Sequence, residues 1–168
     1  MRLLVQRAAR AEVRVVGDVV GVGDVVGDAV VGRIGRGLVV FVGVAPHDGD
    51  RAVAWAVRKL LTMRVFADPE GRTNLDLAAV GGELLVVSQF TLFGDLSGGR
   101  RPGFSRAAPA AVAEARYAEL VAALRRAGAT VATGAFGRAM EVELVNDGPF
   151  TLWLDSADDD PSSVGDGS

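Results

Sequence analysis

Ser88-Gln89-Phe90-Thr91 is the stretch whose residue types could do chemistry most directly. It supplies two hydroxyls and a carboxamide. It also follows the apolar run Glu83-Leu84-Leu85-Val86-Val87, so its backbone N–H groups lie at a strand end, where donors are often free. Such a set suits stabilisation of a developing oxyanion. Read only as structure, it is a core strand end whose Ser and Thr bond locally. Thr91 is the hydroxyl one would nominate as nucleophile, yet no general base stands beside it in the sequence.

The other conventional sets are missing. The chain has one histidine, His47, in a Pro-His-Asp-Gly turn, which reads as a solvated surface residue and gives a Ser-His-Asp triad little support. With no cysteine there is no disulfide, thiolate nucleophile or thiolate metal site, and no metal or cofactor is expected. Glu141 and Glu143 alternate with apolar residues and read as a solvated strand face. The glycine-rich stretch lacks both the Lys-Ser/Thr ending of a phosphate loop and a dinucleotide fingerprint. Any reaction here must need little side-chain help.

A second stretch, Asn146-Asp147-Gly148-Pro149, separates two alternating runs, Met140-Val142-Leu144 and Phe150-Leu152-Leu154. The residues alone favour a hairpin turn between two strands. Pro149 weakens that reading, because it has no N–H and suits the first residue of a strand or an edge.

The elements that must position these stretches follow from periodicity. Leu3–Val5 opens a strand ending near Arg7, and Ala11–Val16 reads as a second. Three Gly-Asp/Val-Val units between residues 17 and 32 read as an extended hairpin tip, where added length costs little. Leu38–Val44 is a near-continuous apolar run typical of a central strand. Asp50 is placed to cap a helix over Arg51–Met63, with Val53, Val57, Leu60 and Leu61 on one face. Val65-Phe66 resumes a strand before the Asp68–Gly71 turn, and a strand end is expected over Ser88–Leu92. Phe93–Arg106 reads as a surface loop, and Pro109 opens a helix to Ala127 with Val112, Leu120, Val121 and Leu124 apolar. Strands near Thr130–Thr133, Met140–Val145 and Phe150–Leu154 complete an α+β domain.

Composition sets bounds. The 168 residues suffice for one domain with a real core, and 49% hydrophobic against 23% charged residues makes it globular. No apolar run approaches a membrane span and no signal-peptide layout appears, so a cytoplasmic protein with no membrane partner is expected. Residues 155–168 hold five Asp and no Lys or Arg and read as an acidic disordered tail, leaving residues 1–154 as the domain. Without the tail the net charge of −3 becomes slightly positive, at 18 basic against 16 acidic residues, which permits a basic patch for RNA without demanding one. Arg100, Arg101 and Arg106 cluster in the loop after Phe93 and could meet phosphates. An Arg-rich solvated loop is the equal alternative.

Ser-Gln-Phe-Thr-Leu and Asn-Asp-Gly-Pro-Phe-Thr resemble the two signature motifs of the D-aminoacyl-tRNA deacylases, dimeric enzymes that hydrolyse D-amino acids from tRNA. Gln6-Arg7, Arg64-Val65-Phe66, Gly71, Asn74-Leu75 and Arg101-Pro102-Gly103-Phe104-Ser105 extend the resemblance over most of residues 1–154. It implies a barrel-like, mostly antiparallel β core with two flanking helices, assembled as a homodimer. It implies catalysis at Ser88, Gln89, Phe90 and Thr91. It also implies a cis Gly148-Pro149 unit, with Asn146 beside it and Arg7 steadying it, that enters the partner subunit's site and excludes L-substrates. The expected partner is the aminoacylated end of tRNA, not DNA. An aminoacyl ester is already activated, so positioning and oxyanion stabilisation suffice. Two rivals remain at this point: a non-catalytic dimeric RNA-binding module, and an esterase for small D-amino esters.

Overall fold

The computed structural model describes residues 1–16 and 29–159. Its organising element is β1 (Arg2–Val15), a 14-residue strand that β8 (Met140–Asp155) accompanies antiparallel along its whole length. Leu3 and Val5 are buried, then Ala8, then Ala11, Val13 and Val15. The buried set thus changes phase across Gln6–Arg10, where the β1–β8 register shifts twice. The two strands expected in this region are therefore one. A bulge absorbs the phase change that read as a break, because an extra residue flips which face a strand buries.

On its other side β1 pairs antiparallel with β2 (Ala29–Ile34) through Ala11–Val15 and with β3 (Gly37–Gly43) through Arg2–Ala8. The tip expected between β1 and β2 falls mostly on residues 17–28, outside the described residues. The chain then continues as α1 (Asp50–Thr62), a small β4 (Phe66–Ala67) and β5 (Thr73–Leu75) hairpin, β6 (Glu83–Ser88), α2 (Ala110–Arg126) and β7 (Val131–Thr133). β3, β6 and β7 pair in parallel. The sheet is mixed, with antiparallel pairs around β1 and a parallel wing beyond β3. Parallel neighbours require crossover connections, and the two helices provide them.

The sheet nearly closes. A side chain at Gly32 of β2 would meet the Thr133 carbonyl of β7 at 2.5 Å, and one at Gly37 would overlap the Glu83 backbone. Glycine therefore permits the strand-on-strand approach that curls the sheet into a barrel-like form. Both helices cover one face, where Trp55, Leu60, Tyr117, Leu120 and Leu124 meet Leu3, Val40, Leu84 and Val86. Inside the curl Val13, Ile34, Val39, Leu85 and Val87 form a second cluster.

Two helix expectations are adjusted. Gly49, not Asp50, is the N-cap of α1; Asp50 lies in the first turn and accepts a 2.7 Å bond from Arg116 of α2. Val112 is 40% exposed, on the outer side of α2. Of the stretch expected to be a disordered tail, Asp155–Asp159 is docked. Ser156 Oγ accepts from the Met1 ammonium at 2.5 Å, and Asp159 accepts from Trp55 Nε1 at 2.7 Å and from Lys59 at 2.6 Å. Residues 160–168 lie outside the described residues.

Candidate active site

β6 buries Leu84 to Val87 in the middle of the sheet and stops at Ser88. The strand end expected through Leu92 is instead a 3₁₀ turn over Phe90–Phe93. The cause lies in the neighbouring strand. β3 ends at Gly43, and a side chain there would meet Phe93, the Gln89 carbonyl and Leu92 within 3.2 Å. Gln89 N donates to Val42 O at 2.7 Å as the last ladder bond, and the chain then folds over the glycine.

That turn leaves donors free. Leu92 N bonds back to Gln89 O, so the first two N–H groups, those of Phe90 and Thr91, have no acceptor within the turn. Phe93 is buried beneath them, whereas Phe90 is 56% exposed and meets the Phe104 ring edge-on at 4.9 Å. Gln89 Nε2 donates to Thr91 Oγ1.

Beside the turn is a cavity of about 470 Å³, lined by Ser88, Gln89, Phe90, Phe104, Tyr117 and Phe136 among others. Tyr117 donates to Val86 O at 2.8 Å, and burial pushes its phenol up to about 12, so it stays neutral. His47 is exposed and lines a separate hollow with Met1, Arg2 and Phe93. No His, Asp or Glu lines the cavity. Among the described residues no cluster of three His, Asp or Glu could hold a metal ion. The site can offer backbone donors, an amide and aromatic walls, and little acid–base chemistry.

The second motif is not a turn between two strands. β8 runs through it, and between the pairs Thr151↔Gln6 and Asn146↔Ala8 four residues of β8 face one of β1, Arg7. The surplus bulges out as Asp147-Gly148-Pro149-Phe150, with a cis Gly148-Pro149 bond and Gly148 at φ +134. Asn146 closes its base: Oδ1 accepts from Phe150 N at 2.7 Å, and Nδ2 donates to Thr151 Oγ1 at 2.9 Å. Arg7 fills the underside. Its Nε donates to Asp147 O at 3.0 Å, its Nη1 to Val65 O at 2.6 Å, and its guanidinium lies 5.0 Å from the Phe150 ring. The hairpin reading failed because β1 is long enough to pair with both halves of β8, so the chain never needs to reverse.

Within one chain the two motifs are apart. Arg7, opposite the bulge, is level with Leu38 and hence with Leu84, four residues before Ser88. Three strand spacings of about 4.8 Å and four residues of about 3.3 Å give a separation on the order of 20 Å over the sheet. The cavity is lined by no residue of the bulge. Arg100, Arg101 and Arg106 are exposed on the loop that carries Phe104, and none pairs with a carboxylate among the described residues. Arg106 does lie close enough to Asp95 to help hold that carboxyl below its usual range, after the larger effect of the Ser97 N–H. Sequence reasoning missed Tyr117 and Phe136 as cavity walls and Arg2 behind the turn. Only Phe136, a lone aromatic between Gly134 and Gly137, carried a signal that could have been read.

The chain is similar to known proteins over most of its length. Residues 4–155 match the family model described as D-Tyr-tRNA(Tyr) deacylase. The chain is 51% identical over 156 residues to a D-aminoacyl-tRNA deacylase of Anaeromyxobacter dehalogenans (strain 2CP-C), covering 93% of this chain and 97% of that one. It is 50% identical over 155 residues to one of Dinoroseobacter shibae, covering 92% and 99%. Among solved structures, one titled c-Myc DNA Unwinding Element Binding Protein superposes with a TM-score of 0.82 at 34% identity, over 93% of this chain and 99% of that one. Another, of a probable eukaryotic D-amino acid tRNA deacylase, shares the fold with a TM-score of 0.69 at 21% identity, over 91% of this chain and 97% of that one.

Proposed function

The chain belongs to the D-Tyr-tRNA(Tyr) deacylase family, and from that premise we propose that it hydrolyses the ester of D-aminoacyl-tRNA, rejects the L-ester, and so proofreads chirality in translation. The observation that carries this reading is the pair of Phe90 and Thr91 N–H groups left without an acceptor in the turn, next to a cavity lined by Phe90, Phe104 and Phe136 and by no His, Asp or Glu. Donors held in place before the reaction stabilise an oxyanion without reorganisation.

In this reading the cavity takes the 3′-terminal nucleoside, its base against Phe104 and Phe136, which sets the ester carbonyl over the turn. Water adds to the carbonyl carbon and the oxyanion is held by the Phe90 and Thr91 N–H groups. The tetrahedral intermediate collapses by breaking the bond to the ribose 3′ oxygen. The attacking water's proton reaches that oxygen through the 2′-hydroxyl. Ser88 and Gln89 orient the substrate and Thr91 is not the nucleophile.

Gly148 and Pro149 act as the chiral filter in the partner subunit of a homodimer, with Arg7 and Asn146 as their supports. The on-sheet separation of the two motifs supports this arrangement, since no aminoacyl group spans some 20 Å. A wall at the position of an L-substrate's Cβ discriminates by exclusion. Arg100, Arg101 and Arg106 meet phosphates of the tRNA acceptor end in a salt-dependent, sequence-independent way. No helix among the described residues is long and apolar enough to cross a membrane; a cytoplasmic site of action belongs to the proposal.

Amino-acid release from matched D- and L-tyrosyl-tRNA tests the whole reading. Loss of the D-ester alone is expected. Loss of both removes the filter and keeps the hydrolase. Loss of neither, with tRNA still bound, leaves an RNA-binding module. Thr91→Ala retains turnover if water attacks; its abolition would make Thr91 the nucleophile.

A further inference from the structure

The 3₁₀ turn bearing Phe90 and Thr91 is exposed on its substrate side, so something behind it must fix its orientation. Arg2 lies there. It sits on β1 level with Gly43 on one side and Asp155 on the other. Its Nη1 donates to Leu92 O, inside the turn, at 3.0 Å. Its guanidinium lies 4.4 Å from the centre of the Phe93 ring, the buried residue that anchors the turn against Gly43. Nε donates to Asp155 Oδ2 at 2.8 Å, and both side chains of that pair are less than one-fifth exposed. Asp155 is held in turn, its Oδ1 accepting from Ala157 N at 3.1 Å. Burial pushes the Asp155 carboxyl up, but the bonds from Arg2 and Ala157 and the Met1 ammonium outweigh it, so the carboxyl stays below its usual range and charged.

We propose that Arg2, locked by Asp155, is a positioning residue for hydrolysis: it grips the turn through Leu92 O and Phe93 and thereby aims the Phe90 and Thr91 N–H groups. The proposal rests on the deacylase reading and adds a residue on the far side of the turn from substrate. An arginine suits the task because one planar group serves a carbonyl, a carboxylate and an aromatic face together. A lysine at the same place keeps the charge and loses the fork.

The test is steady-state kinetics on D-tyrosyl-tRNA with Arg2→Met, Arg2→Lys, Asp155→Asn and the Arg2→Met/Asp155→Asn double variant, together with amide ¹H–¹⁵N spectra of each. A displaced donor pair costs up to about 100-fold, so kcat should fall about 10- to 100-fold in Arg2→Met with KM changed less than about two-fold. Arg2→Lys recovers part of the loss. Asp155→Asn loses less than Arg2→Met, and the double variant is no worse than Arg2→Met alone. The Phe90 and Thr91 amide resonances move in all four.

A folded Arg2→Met with the parent's kcat and unmoved Phe90 and Thr91 resonances overturns the proposal. So does a loss confined to KM, which would make Arg2 a substrate contact. Should Arg2→Met not fold, Asp155→Asn decides by the same readouts. An unaltered chain inactive on the D-ester overturns the deacylase reading and Arg2's positioning role in it; the amide shifts distinguish that case from failure of the grip itself.

Discussion

The turn at Phe90–Phe93 and the bulge at Asp147–Phe150 are built from the same parts. Each is gripped by an arginine of β1, Arg2 or Arg7. Each arginine donates to a backbone carbonyl of its loop, pairs with an aspartate of β8 and lies over a phenylalanine of the loop. The difference is in where the grip falls. Arg2 holds its turn from behind and leaves the two leading N–H groups untouched. Arg7 reaches into its bulge, and its Nη2 would lie 2.9 Å from a side chain at Gly148. The first arrangement presents donors; the second presents a braced surface. One long strand sets the register of both.

Substitutions at the bulge should have the largest effect. Gly148→Ala demands a side chain at φ +134 and displaces Arg7. It should cost about 3 kcal/mol in urea unfolding and erode the preference for D- over L-tyrosyl-tRNA. Unchanged discrimination in a folded variant would reduce the bulge to architecture. Arg7→Ala removes the two carbonyl bonds and the Asp147 pair, for about 2 kcal/mol, and should likewise blur D/L discrimination more than it slows the D-ester. The opposite pattern, slowing without blurring, would assign the turn's role to the bulge.

Tyr117→Phe tests the cavity wall. It should cost only about 1 kcal/mol by thermal unfolding, because Val86 O keeps its bond from Gly134 N. The smallest effect is that of acid on the turn's grip. Asp155 has a depressed value in the folded state, so its contribution is complete above the ordinary Asp value of about 3.9 and is lost as the pH falls through the lower folded value. The stability gap between the parent and Asp155→Asn, on the order of 1 kcal/mol, should close only in that acid window.

Much of the fold was legible because local periodicity and burial agree. The continuous apolar runs of β3 and β6 became central strands, and Val53 and Leu60 in α1 and Leu120 and Leu124 in α2 point to the core as their spacing requires. What escaped was non-local. Nothing between Gln6 and Arg10 says that β1 continues, since the bulge that reconciles its two phases exists only against β8. The parallel pairing of β3, β6 and β7 depends on helices crossing over the sheet, which periodicity does not order in space. At the site, Ser88–Thr91 could be marked by composition, yet the 3₁₀ turn follows from Gly43 running out beside it. Arg7 and Asn146 could be assigned a place by resemblance, but their bonds to Asp147 O, Val65 O and Phe150 N need the folded chain.

The docking of residues 155–159 has an optical consequence. The chain has two tryptophans: Trp55 is 6% exposed with its Nε1 bonded to Asp159, and Trp153 is 48% exposed with the Arg2 guanidinium 5.4 Å from its ring. Trp55 is bonded to the far end of the segment and Trp153 stands two residues before its near end, in opposite surroundings. Dissolved iodide should quench Trp153 and spare Trp55. The shielded emission then reports whether the segment sits on α1, and the quenchable emission reports whether Arg2 holds the turn.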